Sequence, residues 1–149
     1  MKIRVLIVDD EEQFVEQLAE RLQLRDYDVT SCTSGEEAVN TLKRFNFDVV
    51  ILDVAMPGMD GIDTLREIKN IKPLTEVIML TGHATVESAI EGMKLGAFDY
   101  LLKPTKTDDL VMKVDSAYAR KAMQEERIRQ ARANEIFTSP LSALKKGGR

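Results

Sequence analysis

Five short apolar runs are spaced along this chain at intervals of roughly 20 to 25 residues, and the gaps between them carry apolar residues at helical spacing. That alternation is the pattern of repeated strand–helix units, and it confines the chain to the α/β class. The runs are Ile3–Val8, Tyr27–Cys32, Val49–Leu52, Val77–Leu80 and Phe98–Leu102. Three of them are almost uninterrupted apolar stretches, as expected of central parallel strands covered on both faces. Helices are expected over Glu12–Leu24, with Phe14, Val15, Leu18 and Leu22 on one face, over Gly35–Arg44 behind a Ser34 cap, over Gly61–Lys69 behind Asp60, over Val86–Leu95, and from about Asp108 onward. Right-handed crossovers then give one twisted, doubly wound sheet with helices on both sides.

With 149 residues, 44% of them apolar, the chain is long enough for one sizeable core and too short for two ordinary domains. The expected division is a domain over residues 1–120 and a helical extension over residues 121–149. From Asp108 to about Phe137 no glycine or proline interrupts the sequence, and good helix formers dominate, so the final helix should run past the body. Thr138, Ser139 and Pro140 break that pattern, and the stretch Lys145–Arg149 reads as a solvated end.

Charge divides the same way. From Arg120 on there are eight lysines and arginines against three acidic residues, +5 in all, which leaves −9 on the first 119 residues of a chain whose total is −4. No stretch of about 18 apolar residues is present, and the N-terminus enters a strand without a cleavable leader, which reads as soluble, cytoplasmic and not exported. A lone cysteine, Cys32, fits a reducing compartment and reads as a small core or loop thiol. The basic tail by itself is the only argument for nucleic-acid binding, and direct binding is not expected.

Ligands of an open parallel sheet bind beyond the carboxyl ends of its strands. At those ends stand Asp9-Asp10-Glu11-Glu12, then Asp53, then Thr81-Gly82, then Lys103-Pro104. Acidic groups gathered in one crevice repel one another unless a cation neutralises them, and a hard divalent ion such as Mg²⁺ or Mn²⁺ suits carboxylate oxygens. Phosphoryl transfer asks for little more than an in-line nucleophile, a metal, and cations or hydrogen-bond donors on the equatorial oxygens. Asp53 can be the nucleophile, Lys103 the point charge and Thr81 the hydroxyl donor, with Gly82 leaving room for the group. Each has a plainer reading: Asp53 as a helix cap, Asp9-Asp10 as a solvated loop, Thr81 as a strand-end hydroxyl, Lys103 as a surface cation.

The stretches Val-Leu-Ile-Val-Asp-Asp-Glu-Glu, Val-Ile-Leu-Asp-Val-Ala-Met-Pro-Gly-Met-Asp-Gly, Met-Leu-Thr-Gly and Phe-Asp-Tyr-Leu-Leu-Lys-Pro occur in this order over roughly residues 1–120, and together they resemble the receiver domain of bacterial response regulators. The resemblance implies a flavodoxin-like five-stranded parallel sheet of order 2-1-3-4-5. It implies Asp53 as phosphoacceptor, with Asp9, Asp10, Asp53 and the Ala55 backbone carbonyl at the metal, Thr81 and Lys103 on the phosphoryl group, and Thr81 with Tyr100 as the switch pair. A cis Lys103–Pro104 bond is expected on the same grounds. Tyr100 taken alone is equally readable as a core or edge aromatic. Ala55 and His83 would flank the path of an attacking water and tune dephosphorylation, unless the histidine is simply solvated there.

The implied function is two-component signal transduction: a histidine kinase or phosphotransfer protein supplies the phosphoryl group, and the face of the fourth helix, fifth strand and fifth helix engages a downstream protein. Such a domain is a signalling phosphoprotein, not an enzyme beyond its own phosphorylation and slow dephosphorylation. The extended last helix admits homodimerisation, though its apolar spacing is interrupted. No further domain fits after it, and its lead resembles the junction through which receivers join larger transcription activators, so the chain also reads as a receiver fragment of one. The rival from another class is a magnesium-dependent aspartyl-nucleophile phosphatase of the haloacid dehalogenase type, whose nucleophile would follow the first strand. Here that place reads Asp9-Asp10-Glu11-Glu12.

Overall fold

The computed structural model of the chain describes residues 2–56, 58–83 and 85–138. Five strands, β1 (Arg4–Val8), β2 (Asp28–Cys32), β3 (Val49–Leu52), β4 (Glu76–Thr81) and β5 (Asp99–Leu102), alternate with α1 (Glu12–Gln23), α2 (Gly35–Arg44), α3 (Gly61–Ile71), α4 (Val86–Lys94) and α5 (Thr107–Thr138). All pairings are parallel, and the sheet order is β2-β1-β3-β4-β5, as the resemblance implied. The chain steps from β1 outward to β2 and then back across to β3, so the carboxyl ends of β1 and β3 lie side by side at the switch point.

Strand periodicity sorts the core into two layers. Leu6, Val8, Val50, Leu52, Val77 and Met79 face Leu42, Leu65 and Ile68 of α2 and α3. Their neighbours Val5, Ile7, Val49, Ile51, Ile78 and Leu80 face Leu18, Leu22, Leu110 and Val114 of α1 and α5. Each of these buried aliphatic side chains stabilises the fold by about 1.5–3 kcal/mol relative to exposure. The edge strands β2 and β5 are only partly covered, which is why their sequences are mixed.

The helix starts follow local chemistry. Ser34 accepts from the N–H of Glu37, Asp60 from that of Asp63, and Thr85 pairs with Ser88 in a reciprocal capping box. Helix α5 is held on the body by Leu110, Val114 and Ala117, by an Arg25–Asp108 pair at 2.5 Å and by the Tyr27 hydroxyl donating to Asp115 at 2.5 Å. At the amino ends of β3 and β4, Lys121 reaches Asp48 at 3.1 Å and Arg120 pairs with the buried Glu76. The helix then continues without a break to Thr138, and residues 126–136 are all exposed. The solvated end expected from Ser139 onward lies outside the described residues.

Many boundaries differ from the sequence expectation by one residue or two, and three of the shifts have a clear physical reason. Strand β4 begins one residue earlier, at Glu76, because Lys69 and Arg120 neutralise a carboxylate that sequence alone would keep in water. Tyr27 precedes β2 instead of opening it, since its backbone N–H donates to the Leu22 carbonyl at the end of α1 at 3.2 Å and not to a neighbouring strand. Helix α3 runs two residues further, to Ile71, where that side chain packs on the core. Cys32 is buried next to the Thr41 hydroxyl, and burial pushes its thiol up from the ordinary range. Alkylation of Cys32 by iodoacetamide at neutral pH is therefore expected to be far slower in the folded chain than in urea-unfolded chain, and equal rates by mass spectrometry would show the burial to be wrong.

Candidate functional site

The crevice beyond the carboxyl ends of β1 and β3 is built by backbone hydrogen bonds that extend the sheet by one rung: Asp9 N–H donates to the Cys32 carbonyl at 3.2 Å and Asp53 N–H to the Val8 carbonyl at 2.9 Å. Side chains therefore leave the last ordered residues of two neighbouring strands toward the same space. Carboxylate oxygens of Asp9, Asp10 and Asp53 lie within 4.8 Å of one another, Asp9 and Asp53 buried and Asp10 exposed.

The loop after Asp53 is tied down from three sides. Gly61 N–H donates to the Val54 carbonyl at 2.8 Å, and a methyl group on Gly61 would collide with the Asp53 carbonyl oxygen and Val54 Cα. Glu36 of α2 accepts from Met59 N–H at 2.7 Å, and such backbone donors hold its carboxyl below the usual range. Gly58 supplies a left-handed φ of 75°.

Lys103 enters from the other side. Its N–H donates to the Thr81 carbonyl at 2.9 Å, which joins the ends of β4 and β5, and its peptide with Pro104 is cis. The ammonium donates to Asp9 Oδ2 at 2.6 Å and to Glu11 Oε1 at 3.1 Å. Asp9 Oδ1 accepts from Glu11 N–H at 3.0 Å, so both oxygens of Asp9 are engaged. Burial pushes the Asp9 carboxyl up and the nearby Asp53 charge adds to it, against the pull of Lys103 and the Glu11 N–H. Burial works against the Lys103 ammonium, but the contact with Asp9 outweighs it and holds the lysine above its ordinary value. The upward push on Asp9 is thus mainly the cost of burying a carboxyl, with the neighbouring Asp53 charge a smaller contribution.

Asp53 differs from Asp9. Its Oδ1 is buried with no hydrogen-bond partner among the described residues. An orphaned, buried carboxylate oxygen facing two more carboxylates fits a hard divalent cation, and the donor set is all oxygen.

Of the residues singled out from sequence, Asp9, Asp10, Asp53, Thr81 and Lys103 converge here. Thr81 is fully buried and its hydroxyl accepts from His83 N–H at 3.1 Å. Ala55 and His83 are both exposed at the rim. Open space surrounds Gly82: a Cβ there would meet nothing within 4 Å. Tyr100 stands apart, half-buried against α4, where its hydroxyl shares a 2.7 Å hydrogen bond with Ser88 of the capping box. Sequence reading missed Glu11 as a lysine partner and Phe14, whose ring centroid lies 4.0 Å from the Lys103 ammonium. An acidic run and an apolar helix face gave no signal for either.

The transcriptional regulatory protein ZraR of Escherichia coli (strain K12) is 39% identical over 117 residues, 78% of this chain and 26% of that protein. The chain spans about a quarter of the length of the curated relatives it matches. A response regulator receiver domain protein from Clostridium thermocellum superposes with a TM-score of 0.77 at 38% identity, covering 82% of this chain and 98% of that one. The beryllofluoride-activated NtrC4 receiver domain dimer, solved in solution, gives 0.75 at 34%, covering 79% and 98%. With the family model for the response regulator receiver domain matching residues 5–115, the chain belongs to the response regulator receiver family.

Proposed function

We propose that Asp53 is the phosphoacceptor of this receiver, and that Asp9, Asp10, Asp53 and the backbone carbonyl of Ala55 hold Mg²⁺ or Mn²⁺ beside it. The observation that carries the reading is the contrast between two buried carboxylates: Asp9 has partners for both oxygens, whereas Asp53 Oδ1 has none among the described residues. A nucleophile needs a free oxygen. The same contrast disfavours the phosphatase alternative, which would use the carboxylate that follows the first strand.

In the proposed transfer an Asp53 oxygen forms the new O–P bond while the P–N bond to a kinase histidine, or the P–O bond of acetyl phosphate, breaks. The leaving group keeps the electron pair, and a leaving imidazole picks up a proton. The bound divalent ion would neutralise the carboxylates and the phosphoryl oxygens. Lys103 and the Thr81 hydroxyl take the remaining oxygens. When Thr81 turns toward the phosphoryl group it gives up its bond to His83 N–H, and the space it leaves is open to Tyr100, which must then release Ser88. Helix α4, whose only fully buried residue is Gly92, is the element that can yield.

On this reading residues 1–120 are the switch and residues 121–149 the extension that transmits it. The donor is a sensor histidine kinase or a phosphotransfer protein of the cytoplasm. The face of α4, β5 and α5, where Ile90, Met93, Leu102 and Met112 are exposed, receives a downstream protein or a second copy. No helix of the described residues is long and apolar enough to cross a membrane. Likeness to a transcriptional regulator of which the matched stretch makes up only 26% supports the view that this receiver also serves a larger regulator.

Intact mass after incubation with Mg²⁺ and acetyl phosphate tests the reading: one labile phosphoryl group is expected, and none without metal. No gain with metal and donor present would overturn it. The decay of that adduct tests His83, which stands with Ala55 at the rim. His83→Ala is expected to speed hydrolysis severalfold by opening the water path, and equal decay rates would remove the histidine from the mechanism.

A further inference from the structure

Resting on the reading of Lys103 as a phosphoryl contact, we propose that Glu11 and Phe14 form a parking seat for Lys103, so that every phosphorylation begins by pulling the ammonium off an internal competitor. Lys103 is only 13% exposed, yet its ammonium donates to Glu11, a side chain 62% exposed, as well as to Asp9. The ring of Phe14, one turn along α1 from Glu11, closes the seat with its centroid 4.0 Å from the ammonium. Behind the ring lies a hollow of about 100 Å³ between α1 and α5, bounded by Leu18, Leu80, Pro104 and Leu110, so Phe14 has room to turn as the lysine leaves.

The chemistry of the seat is that of the phosphoryl group it replaces: anionic oxygens on one side of the ammonium and a desolvating wall on the other. Asp9 is shared between the parked lysine and the proposed metal set, and it is released from the lysine when it turns to the cation. Glu11 and Phe14 belong only to the parked position. Weakening either should therefore raise affinity for a phosphoryl mimic, the opposite of what ordinary damage to a site does.

The test is calorimetric titration of the full chain with beryllofluoride in saturating Mg²⁺. Glu11→Gln and Phe14→Leu should each bind it about two- to fivefold tighter, as expected for an exposed ion pair and a surface cation–π contact. Phe14→Tyr, which keeps the aromatic face, should match wild type. In the wild type, Lys103 side-chain methylene protons should be shifted upfield by the ring in the free chain and return toward ordinary positions on beryllofluoride addition. Unchanged or weaker binding in Glu11→Gln, or a Lys103 signal that stays put, overturns the seat. Absence of binding by wild type itself would instead overturn the phosphoacceptor reading, so the two failures are distinguishable.

Discussion

Asp53→Asn is expected to abolish the phosphoryl mass gain in Mg²⁺ and acetyl phosphate, because the amide oxygen is no longer an anionic nucleophile and, among the described residues, no other buried carboxylate oxygen lacks a hydrogen-bond partner. The same change should make the metal-free chain more stable. Asp9 and Asp53 are both buried, their oxygens lie within 4.8 Å of each other, and the Asp53 charge helps push the Asp9 carboxyl up. Removing one of two repelling charges is expected to stabilise the fold by about 1 kcal/mol, a rise of about 2–4 °C in Tm for a domain of this size. Magnesium should raise the Tm of wild type and lose most of that effect in the variant. A variant that gains mass as wild type does would move the acceptor elsewhere. One that is destabilised without metal would show that the carboxylates do not repel.

Gly61→Ala is expected to be severely damaging. Its Cβ would press on the Asp53 carbonyl oxygen and on Val54 Cα, both backbone atoms that no rotamer change can move aside. Helix α3 would have to retreat from the end of β3, and overpacking of that kind costs about 3 kcal/mol, a fall of about 6–12 °C in Tm. Whatever remains folded should phosphorylate more slowly, since the displaced carbonyl belongs to the proposed acceptor. Gly82→Ala is the control: a Cβ there meets nothing within 4 Å, and its stability should stay within about 0.5 kcal/mol of wild type. Urea midpoints of the two variants, measured side by side, decide the matter, and equal midpoints would show that the loop yields.

The architecture was legible because its signals are local. Apolar runs such as Val49–Leu52 are buried on both faces and say so in four consecutive residues, and Ser34 and Asp60 announce the helices they cap. The site was legible because parallel topology sends the residue at the end of each strand to one edge, which groups Asp9, Asp53, Thr81 and Lys103 from sequence order alone. What sequence withheld is long-range. Glu76 is buried only because Lys69 and, 44 residues away, Arg120 meet it. The adjacent Asp9 and Asp10 look alike in sequence, yet one is buried against Lys103 and the other exposed. Phe14 reads as one more apolar position of an amphipathic helix until Lys103, 89 positions along, is found over its ring. The link from Tyr100 to the cap of α4 through Ser88 had no sequence signature, since serine in a first helical turn is unremarked.

The unbroken course of α5 has a geometric consequence. Its last ion pairs with the body are Arg120–Glu76 and Lys121–Asp48, and 17 further residues run from Ala122 to Thr138. At about 1.5 Å per residue that is a rod of about 26 Å beyond those pairs, its first turn still half-buried against the body and residues 126–136 exposed. Tilting it by about 5° at those pairs would sweep its far end through about 2 Å, enough to break a hydrogen bond or unseat a side chain there. The two ion pairs at the amino edge of the sheet therefore sit at the fulcrum of a lever, and a rearrangement too small to notice beside the sheet is magnified where the helix ends.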